Sequence, residues 1–311
     1  MNSKLICIVG PTGVGKSEVA FHLAKLLNAE ILSADAFQIY RGVTVGTNQP
    51  PAEWMREVPH HFISSRDPAT QSWSAADFAL EARALLDQAG REGRKMLVVG
   101  GSGFYLQALL EGAPPGEAPD PETRRHVLGE TRRLGTEGSL RWLRERDPQA
   151  AERIHPNDLK RISRALEKSL SPPQTVPQVQ DPLVSLVLGL ERSRDRLDQA
   201  LQIRTKALWR GGLLDETKDL IQAKVPREAS LWGAIGYQES ADFLEGRLGE
   251  PEALERMYRR TRQYAKRQMT WFRHHHGTRW FDLDRFETSA QAAEALYNIL
   301  QAGNPGPEEP V

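Results

Sequence analysis

Short apolar runs alternate with longer segments of helical spacing along much of the chain. The runs that predict buried strands are Lys4–Val9, Ala29–Ala34, Lys95–Val99 and Leu183–Leu190. Apolar residues at helical spacing predict helices at Ser17–Leu27, Ser74–Ala89, Arg194–Trp209 and Leu254–His274. Strands that alternate with helices form a parallel sheet covered on both faces. We therefore predict an α/β fold with a P-loop NTPase-like parallel sheet.

Two proline-rich segments interrupt this pattern. Residues 112–121 hold four prolines and two glycines, and residues 171–182 hold four prolines. Helices rich in Arg and Glu fill the interval between them, whereas residues 53–62 are predicted to be irregular. We predict a first core segment at 1–114, an all-helical insertion domain at 115–182, a second core segment at 183–302 and a disordered tail at 303–311.

The composition is that of a globular protein. Of 311 residues, 39% are hydrophobic and 26% charged, which suffices for a sizeable core. No apolar run approaches the roughly 18 residues that a membrane span needs, and we expect neither a signal peptide nor a membrane partner. The single cysteine, Cys7, excludes a disulfide scaffold and a cysteine zinc site. We expect a cytoplasmic monomer.

Charge is segregated although the formal net charge is zero. Residues 256–279 hold eight basic and no acidic side chains, and residues 121–164 hold eleven basic against seven acidic ones. Local basic surfaces bind phosphates even on a neutral protein. We therefore interpret the basic face of the helix near 254–274, with no acids to pair it, as a nucleic-acid surface, and its Trp and Tyr as core residues.

The strongest motif is Gly10-Pro11-Thr12-Gly13-Val14-Gly15-Lys16-Ser17. It has the form G-x-x-x-x-G-K-[ST] between a predicted strand and a predicted helix, which is the context of a phosphate-binding P-loop. Backbone N–H groups and the helix dipole attract the phosphate. Lys16 supplies a charge, and the Ser17 hydroxyl can hold Mg²⁺. The alternative, a tight strand–helix turn with a chance lysine, explains less of the pattern.

Two further motifs follow predicted strands. Asp35 begins the segment DAFQIY at the carboxyl end of the second strand, where open α/β sheets bind ligands. It can serve as a base or a Mg²⁺ ligand, or simply cap a turn. Ser102 lies in GGSGFY after the third strand, where glycines allow a ligand to approach closely, although a plain glycine-rich turn has the same pattern.

Basic residues recur in HPNDLKRISRALE, where Asn157 or Asp158 can cap a helix that carries Lys160, Arg161 and Arg164. These cations suit a phosphate backbone, or a solvated face paired to acids. The triplet His274-His275-His276 cannot direct all three rings to one point on a helix, so we expect no metal site there.

Together these blocks resemble a known family. GPTGVGKS, DAFQIYRG with GTNQP, PHHF, SAADF, VGGSGFY, HPNDLKRISRALE, GYQE and TRQYAKRQMTWFR occur in the order and spacing of the tRNA dimethylallyltransferases, also called tRNA isopentenyltransferases. The resemblance runs from about Leu5 to Phe281.

The resemblance implies a reaction. The dimethylallyl group of dimethylallyl diphosphate moves to N6 of adenosine 37 in tRNAs that read codons starting with U, and pyrophosphate leaves with the help of Mg²⁺. The P-loop, mainly Thr12 to Ser17, would hold the donor's diphosphate rather than ATP. The insertion and the C-terminal helices would grip the anticodon stem-loop.

The resemblance also implies residue roles. Asp35 matches the catalytic aspartate, Lys16 and Arg204 reach the diphosphate, Ser102 replaces the usual threonine, and Gln38 is placed to hydrogen-bond the flipped adenine. The expected tRNA contacts are Asp35, Ala36, Phe37, Gln38, Ser102, Arg125 (or Arg124), Lys160, Arg161, Arg164, Arg262 and Arg267.

Three alternatives remain open. A P-loop kinase would use ATP and would not need the basic helix. An adenylate isopentenyltransferase would take AMP or ADP as the acceptor. An RNA-binding regulator with a relic P-loop would not need intact Lys16, Ser17 and Asp35.

Overall fold

The computed structural model describes residues 5–70, 73–112, 121–171 and 183–302. The predicted domain boundaries at 114/115 and 182/183, most of both proline-rich segments and the predicted tail 303–311 lie outside the described residues. Within the described ranges, contacts separate one compact unit, residues 5–111 with 183–302, from a second at 112 and 121–171.

In the first unit, the described residues include six parallel strands in the order β3-β2-β4-β1-β5-β6. The strands are β1 (Leu5–Val9), β2 (Ala29–Ser33), β3 (His60–His61), β4 (Lys95–Val99), β5 (Ser185–Glu191) and β6 (Arg279–Asp282). The predicted parallel α/β sheet is confirmed, with strand ends shifted by no more than about two residues.

Helices cover both faces of this sheet. The α-helices of the described residues are α1 (Lys16–Leu27), α2 (Ala52–Glu57), α3 (Ala75–Arg91), α4 (Gly103–Glu111), α5 (Pro121–Arg146), α6 (Pro148–Arg153), α7 (Leu159–Leu170), α8 (Arg194–Leu208), α9 (Leu214–Gln222), α10 (Tyr237–Leu244), α11 (Glu250–His274) and α12 (Ser289–Gln301). Of these, α5 to α7 belong to the second unit and do not form part of the layers on the sheet. The described part of the chain has no helix long and apolar enough to cross a bilayer.

The core has two layers because successive strand residues point to opposite faces. On β1, Cys7 and Val9 pack in the cluster that includes residues of α3, α4, α10 and α11, whereas Ile8 packs in the cluster with α1 and α12. Burial raises the pKa of the Cys7 thiol to about 12. The cysteine is therefore a core residue.

The prediction that residues 53–62 are irregular is wrong. Ala52–Glu57 is helical, and His60 and His61 pair in parallel with Ile31 and Leu32. A two-residue strand carries no periodicity of its own, so only its tertiary pairing with β2 defines it.

The second unit is helical, as predicted for the insertion, and has a core of its own. Val127, Leu143, Ile162 and Leu166 are buried together. The helix α5 is kinked at Gly135, whose φ of 64° suits glycine.

Candidate active site

A cavity of about 490 Å³ opens at the carboxyl ends of β1, β2 and β4. Its walls come from the loops that follow these strands and from α8 and α11. The polar lining includes Thr12, Lys16, Ser17, Ser33, Asp35, Gln38, Thr47, Asn48, Gln49, Arg204, Tyr264 and Gln268. The structure thus brings the P-loop, the aspartate motif and Arg204 into one cavity.

The P-loop connects β1 to α1 with three left-handed glycines. Gly10, Gly13 and Gly15 have φ values of 138°, 80° and 105°, which L side chains rarely adopt. A Cβ on Gly10 would lie 2.5 Å from the carbonyl oxygen of Leu190 on β5. The glycines therefore let the loop pack tightly against the sheet and present the first turn of α1 to the cavity.

A buried amide links the two glycine-rich loops. Gln268 Oε1 on α11 accepts a hydrogen bond from Thr12 N at 2.8 Å, and its Nε2 donates to the Gly101 carbonyl at 2.9 Å. Since one side chain satisfies both loops, α11 fixes the P-loop relative to the loop after β4.

Two half-buried cations share the cavity with one carboxylate. Burial lowers the pKa of Lys16 to about 7, with Asp35 opposing the shift and Arg204 adding to it. Burial likewise lowers the pKa of Arg204, again opposed by Asp35. Lys16 Nζ donates to the Pro11 carbonyl at 2.7 Å. Such a site stabilises a polyanion, because desolvated cations of like charge lie close together.

Asp35 uses only one oxygen of its carboxylate within the described part of the fold. Its Oδ1 accepts from the backbone N–H groups of Phe37 at 2.9 Å and Gln38 at 3.2 Å, and so caps the turn that follows β2. Among the described residues no donor reaches Oδ2. One oxygen thus fixes the carboxylate and leaves the other available in the cavity.

Gln38 is held from both ends of its amide. Its Oε1 accepts from Ser33 Oγ at 2.8 Å, and its Nε2 donates to the Asn48 carbonyl at 2.9 Å. Gln49 Nε2 in turn donates to the Gln38 carbonyl at 2.8 Å. The amide is therefore oriented before any ligand arrives.

Glu216 on α9 anchors the loop that carries Asn48. Its carboxylate accepts four hydrogen bonds, from Thr44 Oγ1 (3.0 Å), Val45 N (2.6 Å), Gly46 N (2.9 Å) and Tyr237 OH (2.9 Å). A Cβ at Gly46 would lie 2.4 Å from the Tyr237 ring, so only glycine fits there.

Ser102 and Tyr264 flank the aspartate loop. Ser102 Oγ accepts from Ala36 N at 3.3 Å and does not line the cavity. Tyr264 does line it, and burial with the nearby charge of Asp35 raises the pKa of its phenol to about 12, although its contact with Ser102 opposes the shift. The interpretation of this tyrosine as a core residue is wrong.

Other predicted site residues lie outside the cavity lining. Gly10, Pro11, Val14, Ala36 and Phe37 shape the loops without facing the cavity, and Val14 is buried in the core. Arg125, Lys160, Arg161 and Arg164 are exposed on α5 and α7 of the second unit. Asp158 caps α7 and pairs with Arg161 at 3.4 Å, while Arg164 pairs with Glu167 at 3.0 Å.

The expectation that no acids pair the arginines of α11 is wrong. Acids from other segments approach them in the folded chain: Arg262 lies 3.1 Å from Asp198, Arg260 contacts Glu239, and Arg273 lies 3.4 Å from Glu191. Within the described ranges, Arg259, Lys266 and Arg267 have no carboxylate at ion-pair distance. The uncompensated charge is therefore smaller than the sequence indicates.

The donor set at Ser17 fits a magnesium ion bound together with a phosphate. The Ser17 hydroxyl lines the cavity and has no hydrogen-bond partner among the described residues. The same residues contain no cluster of three His, Cys, Asp or Glu side chains that could hold a metal without other ligands. Mg²⁺ commonly relies on substrate phosphates and waters for most of its ligands.

Sequence reasoning missed Gln268 and Glu216. The signal for Gln268 was present, since a polar residue occupies a buried position of α11 between Ala265 and Phe272. Glu216 carries no such signal, because α9 begins with two adjacent acidic residues, Asp215 and Glu216, and only the fold brings one of them to residues 44–46.

The pKa of Lys16 predicts proton uptake on binding of inorganic pyrophosphate. Above about pH 7 the Lys16 side chain of the ligand-free protein is largely neutral. A bound polyanion favours the charged form of this side chain. Binding at pH 8 should therefore take up close to one more proton at Lys16 than binding at pH 6. Calorimetry in buffers of different ionisation enthalpy measures this uptake.

The control is the Lys16→Arg variant, whose arginine stays charged at both pH values. Pyrophosphate itself exchanges the same protons with buffer when it binds to either protein. The difference in proton uptake between the two proteins isolates Lys16. Equal uptake in both proteins at pH 8 would contradict a lowered pKa.

Comparison with known proteins identifies the family. The model of the IPP transferase family matches residues 38–275. The tRNA dimethylallyltransferase 2 of Syntrophus aciditrophicus is 39% identical over 286 residues, which are 90% of this chain and 92% of that protein. The tRNA dimethylallyltransferase of Halalkalibacterium halodurans is 38% identical over 308 residues, 96% of this chain and 97% of that protein.

Solved structures agree. The full-length tRNA isopentenylpyrophosphate transferase from Bacillus halodurans is 36% identical, with a TM-score of 0.71 and 96% of both chains covered. A eukaryotic dimethylallyltransferase acting on tRNA is 29% identical, with a TM-score of 0.74 over 99% of this chain and 81% of that one. With sequence, fold and motif order in agreement, the chain belongs to the IPP transferase family.

Proposed function

We propose that this protein is a tRNA dimethylallyltransferase, which transfers the dimethylallyl group of dimethylallyl diphosphate to N6 of adenosine 37 in tRNAs that read codons starting with U. The products are N6-(dimethylallyl)adenosine and pyrophosphate. One observation carries the proposal. In a member of this family, one cavity contains a P-loop, the two desolvated cations Lys16 and Arg204, and the oriented carboxylate of Asp35.

The acceptor side of the reaction needs a base. The N6 lone pair forms a bond to C1 of the donor, the C1–O bond breaks, and its electron pair leaves with the diphosphate. As N6 becomes cationic its proton becomes acidic, and Asp35 Oδ2 is the oxygen to receive it. Gln38, fixed by Ser33 and Asn48, offers its amide to the adenine edge.

The donor side needs charge stabilisation. Lys16 and Arg204 line the cavity at the start of α1. With the N–H groups of that first turn, they would stabilise the charge that develops on a diphosphate bound there as it leaves. We propose Mg²⁺ as the cofactor, held by the Ser17 hydroxyl and the diphosphate. It supplies further neutralisation of the leaving group.

The target adenine must leave its stack to enter the cavity. We propose that Arg267, together with Arg125, Lys160, Arg161 and Arg164, contacts the anticodon stem-loop. Arg262 joins them only by exchanging its ion pair with Asp198, an exchange that costs little at an exposed site.

The first test incubates the protein with Mg²⁺, dimethylallyl diphosphate and an unmodified tRNA that carries adenosines 36 to 38, and then measures nucleoside masses. We expect one C₅H₈ unit on adenosine 37. A parallel reaction replaces tRNA with AMP. Gain on AMP alone would assign the protein to the adenylate class, and ATP consumption without prenylation would indicate a kinase.

Asp35→Asn removes the base and keeps the size of the side chain. Turnover should fall by about 10²–10⁴-fold, the usual contribution of a general base, while tRNA affinity stays close to wild type. Single-turnover rates and filter binding measure the two quantities. A variant that retains the wild-type rate would exclude Asp35 as the base.

Glu216→Gln replaces one carboxylate oxygen, which accepts hydrogen bonds, with an NH₂ group. This NH₂ group then faces the N–H or O–H groups that donated to the oxygen. Leaving those groups unpaired costs about 1–3 kcal/mol, and the loop that holds Gln38 should shift. We expect KM for tRNA to rise roughly tenfold or more, with KM for dimethylallyl diphosphate nearly unchanged.

Asp219→Asn is the matched control, since Asp219 is an exposed acid on the same helix. It should leave both KM values unchanged. If Glu216→Gln raised both KM values equally, or neither, the carboxylate would not act through the loop.

A further inference from the structure

An aromatic stack lies beside the cavity and has no part in the reaction described above. It consists of Phe104 at the start of α4 and of Trp271 and His275 near the end of α11. The Phe104 and Trp271 ring centroids are 4.4 Å apart, and the Trp271 and His275 rings are parallel within 4° at 4.1 Å. The Phe104 residue is 63% exposed.

The chain is built to hold this stack. A Cβ on Gly103 would lie 2.4 Å from the Trp271 ring, so a glycine is required for that ring to pack against the start of α4. Phe104, by contrast, exposes an aromatic ring that adds nothing to the core. A lone exposed apolar residue needs no explanation, but the Phe104 ring leans at 55° on a tryptophan that is itself stacked on a histidine, which makes an aromatic surface with one exposed ring.

The stack continues a line of side chains that starts in the cavity. Tyr264, Gln268 and Trp271 follow one another at three- or four-residue spacing on one face of α11. His275 directly follows the helix, and its ring stacks on Trp271. Tyr264 and Gln268 line the cavity, and Trp271 stands about 4.5 Å beyond Gln268 along the helix axis. On the other side, Ser102 joins Ala36 of the aspartate loop to Gly103 and Phe104.

The charge along this line favours a nucleic acid over a protein. The Arg267 guanidinium lies 5.9 Å from the Tyr264 ring centroid, and among the described residues no carboxylate pairs with Arg267 or Lys266. Exposed aromatic rings interleaved with unpaired cations are the elements with which proteins hold single strands, by stacking bases and neutralising phosphates.

We propose that the aromatic stack binds a nucleobase of the RNA strand next to the adenosine in the cavity. This inference rests on the proposed function, since the neighbours of a base flipped into the cavity stay outside it, and Phe104 follows Gly101 of the cavity lining by three residues. Stacking on these rings would replace the base–base stacking that the neighbouring nucleobase loses when the adenine flips out.

The test compares Phe104→Ala with Phe104→Trp, using an anticodon stem-loop RNA. Loss of one base stack weakens binding about 5- to 100-fold. Phe104→Ala should raise Kd and KM for the RNA by such a factor, leave KM for dimethylallyl diphosphate unchanged, and be rescued by Phe104→Trp. Leu80→Ala, which truncates another exposed apolar side chain (66% exposed), is the matched control and should match wild type.

Two readouts separate stacking from charge and from a structural role. In Phe104→Ala the plot of log K against log salt should shift without a change of slope, whereas Arg267→Gln should reduce the slope. In addition, 2-aminopurine can replace the nucleobase beside the target adenosine. Its fluorescence should be quenched when the RNA binds to the wild-type protein, and quenched less when the RNA binds to Phe104→Ala.

The outcomes are distinct. If Phe104→Ala bound the RNA with the same affinity and the same fluorescence quenching as wild type, the proposal would be overturned. An equal loss of RNA and donor affinity would also overturn it, because it would indicate a merely structural role. Failure of wild type to prenylate the RNA would refute the proposed function, while quenching would still test the stack.

Discussion

One buried amide holds the site together. Gln268 accepts from the P-loop and donates to the loop after β4, so that α11 is fixed to both loops at once. Burying an amide without partners is unfavourable by a few kcal/mol, and Gln268 meets its partners only when both loops are in place. The positions of Tyr264 and Trp271 depend on this attachment, because both stand on the same face of α11 as Gln268.

A second constraint is electrostatic. The fold brings Lys16 and Arg204 into one cavity with Asp35, and burial lowers the pKa values of both cations although the charge of Asp35 opposes the shift. Desolvation disfavours the charged forms of both side chains, and a bound polyanion would favour them. A P-loop alone can bind many phosphate-containing ligands and does not determine the reaction. It is the combination with an oriented carboxylate and a fixed carboxamide, Gln38, that suits transfer to an exocyclic amine.

Much of the fold was predictable because its signals are local. Buried strands of a parallel sheet appear as apolar runs, and β4 occurs at the residues expected, Lys95–Val99. The P-loop was predictable for a similar reason, since its glycines and Lys16 are consecutive and their function depends on local backbone geometry. The strand β3 was not, because two histidines become a strand only by pairing with β2.

The site divides in the same way. The sequence by itself determined the parallel α/β architecture, the P-loop, Asp35 and the family, because each rests on residues close together in the chain or on the order of whole motifs. Only the tertiary structure decided which arginines of α11 are neutralised, since their carboxylates come from Glu239, Asp198 and Glu191 on other elements. It also decided that Glu216 anchors a loop about 170 residues earlier, and that Phe104 lies against Trp271. Hydrogen bonds and ring contacts of this kind have no sequence periodicity, because they join residues that are neighbours only after the chain has folded.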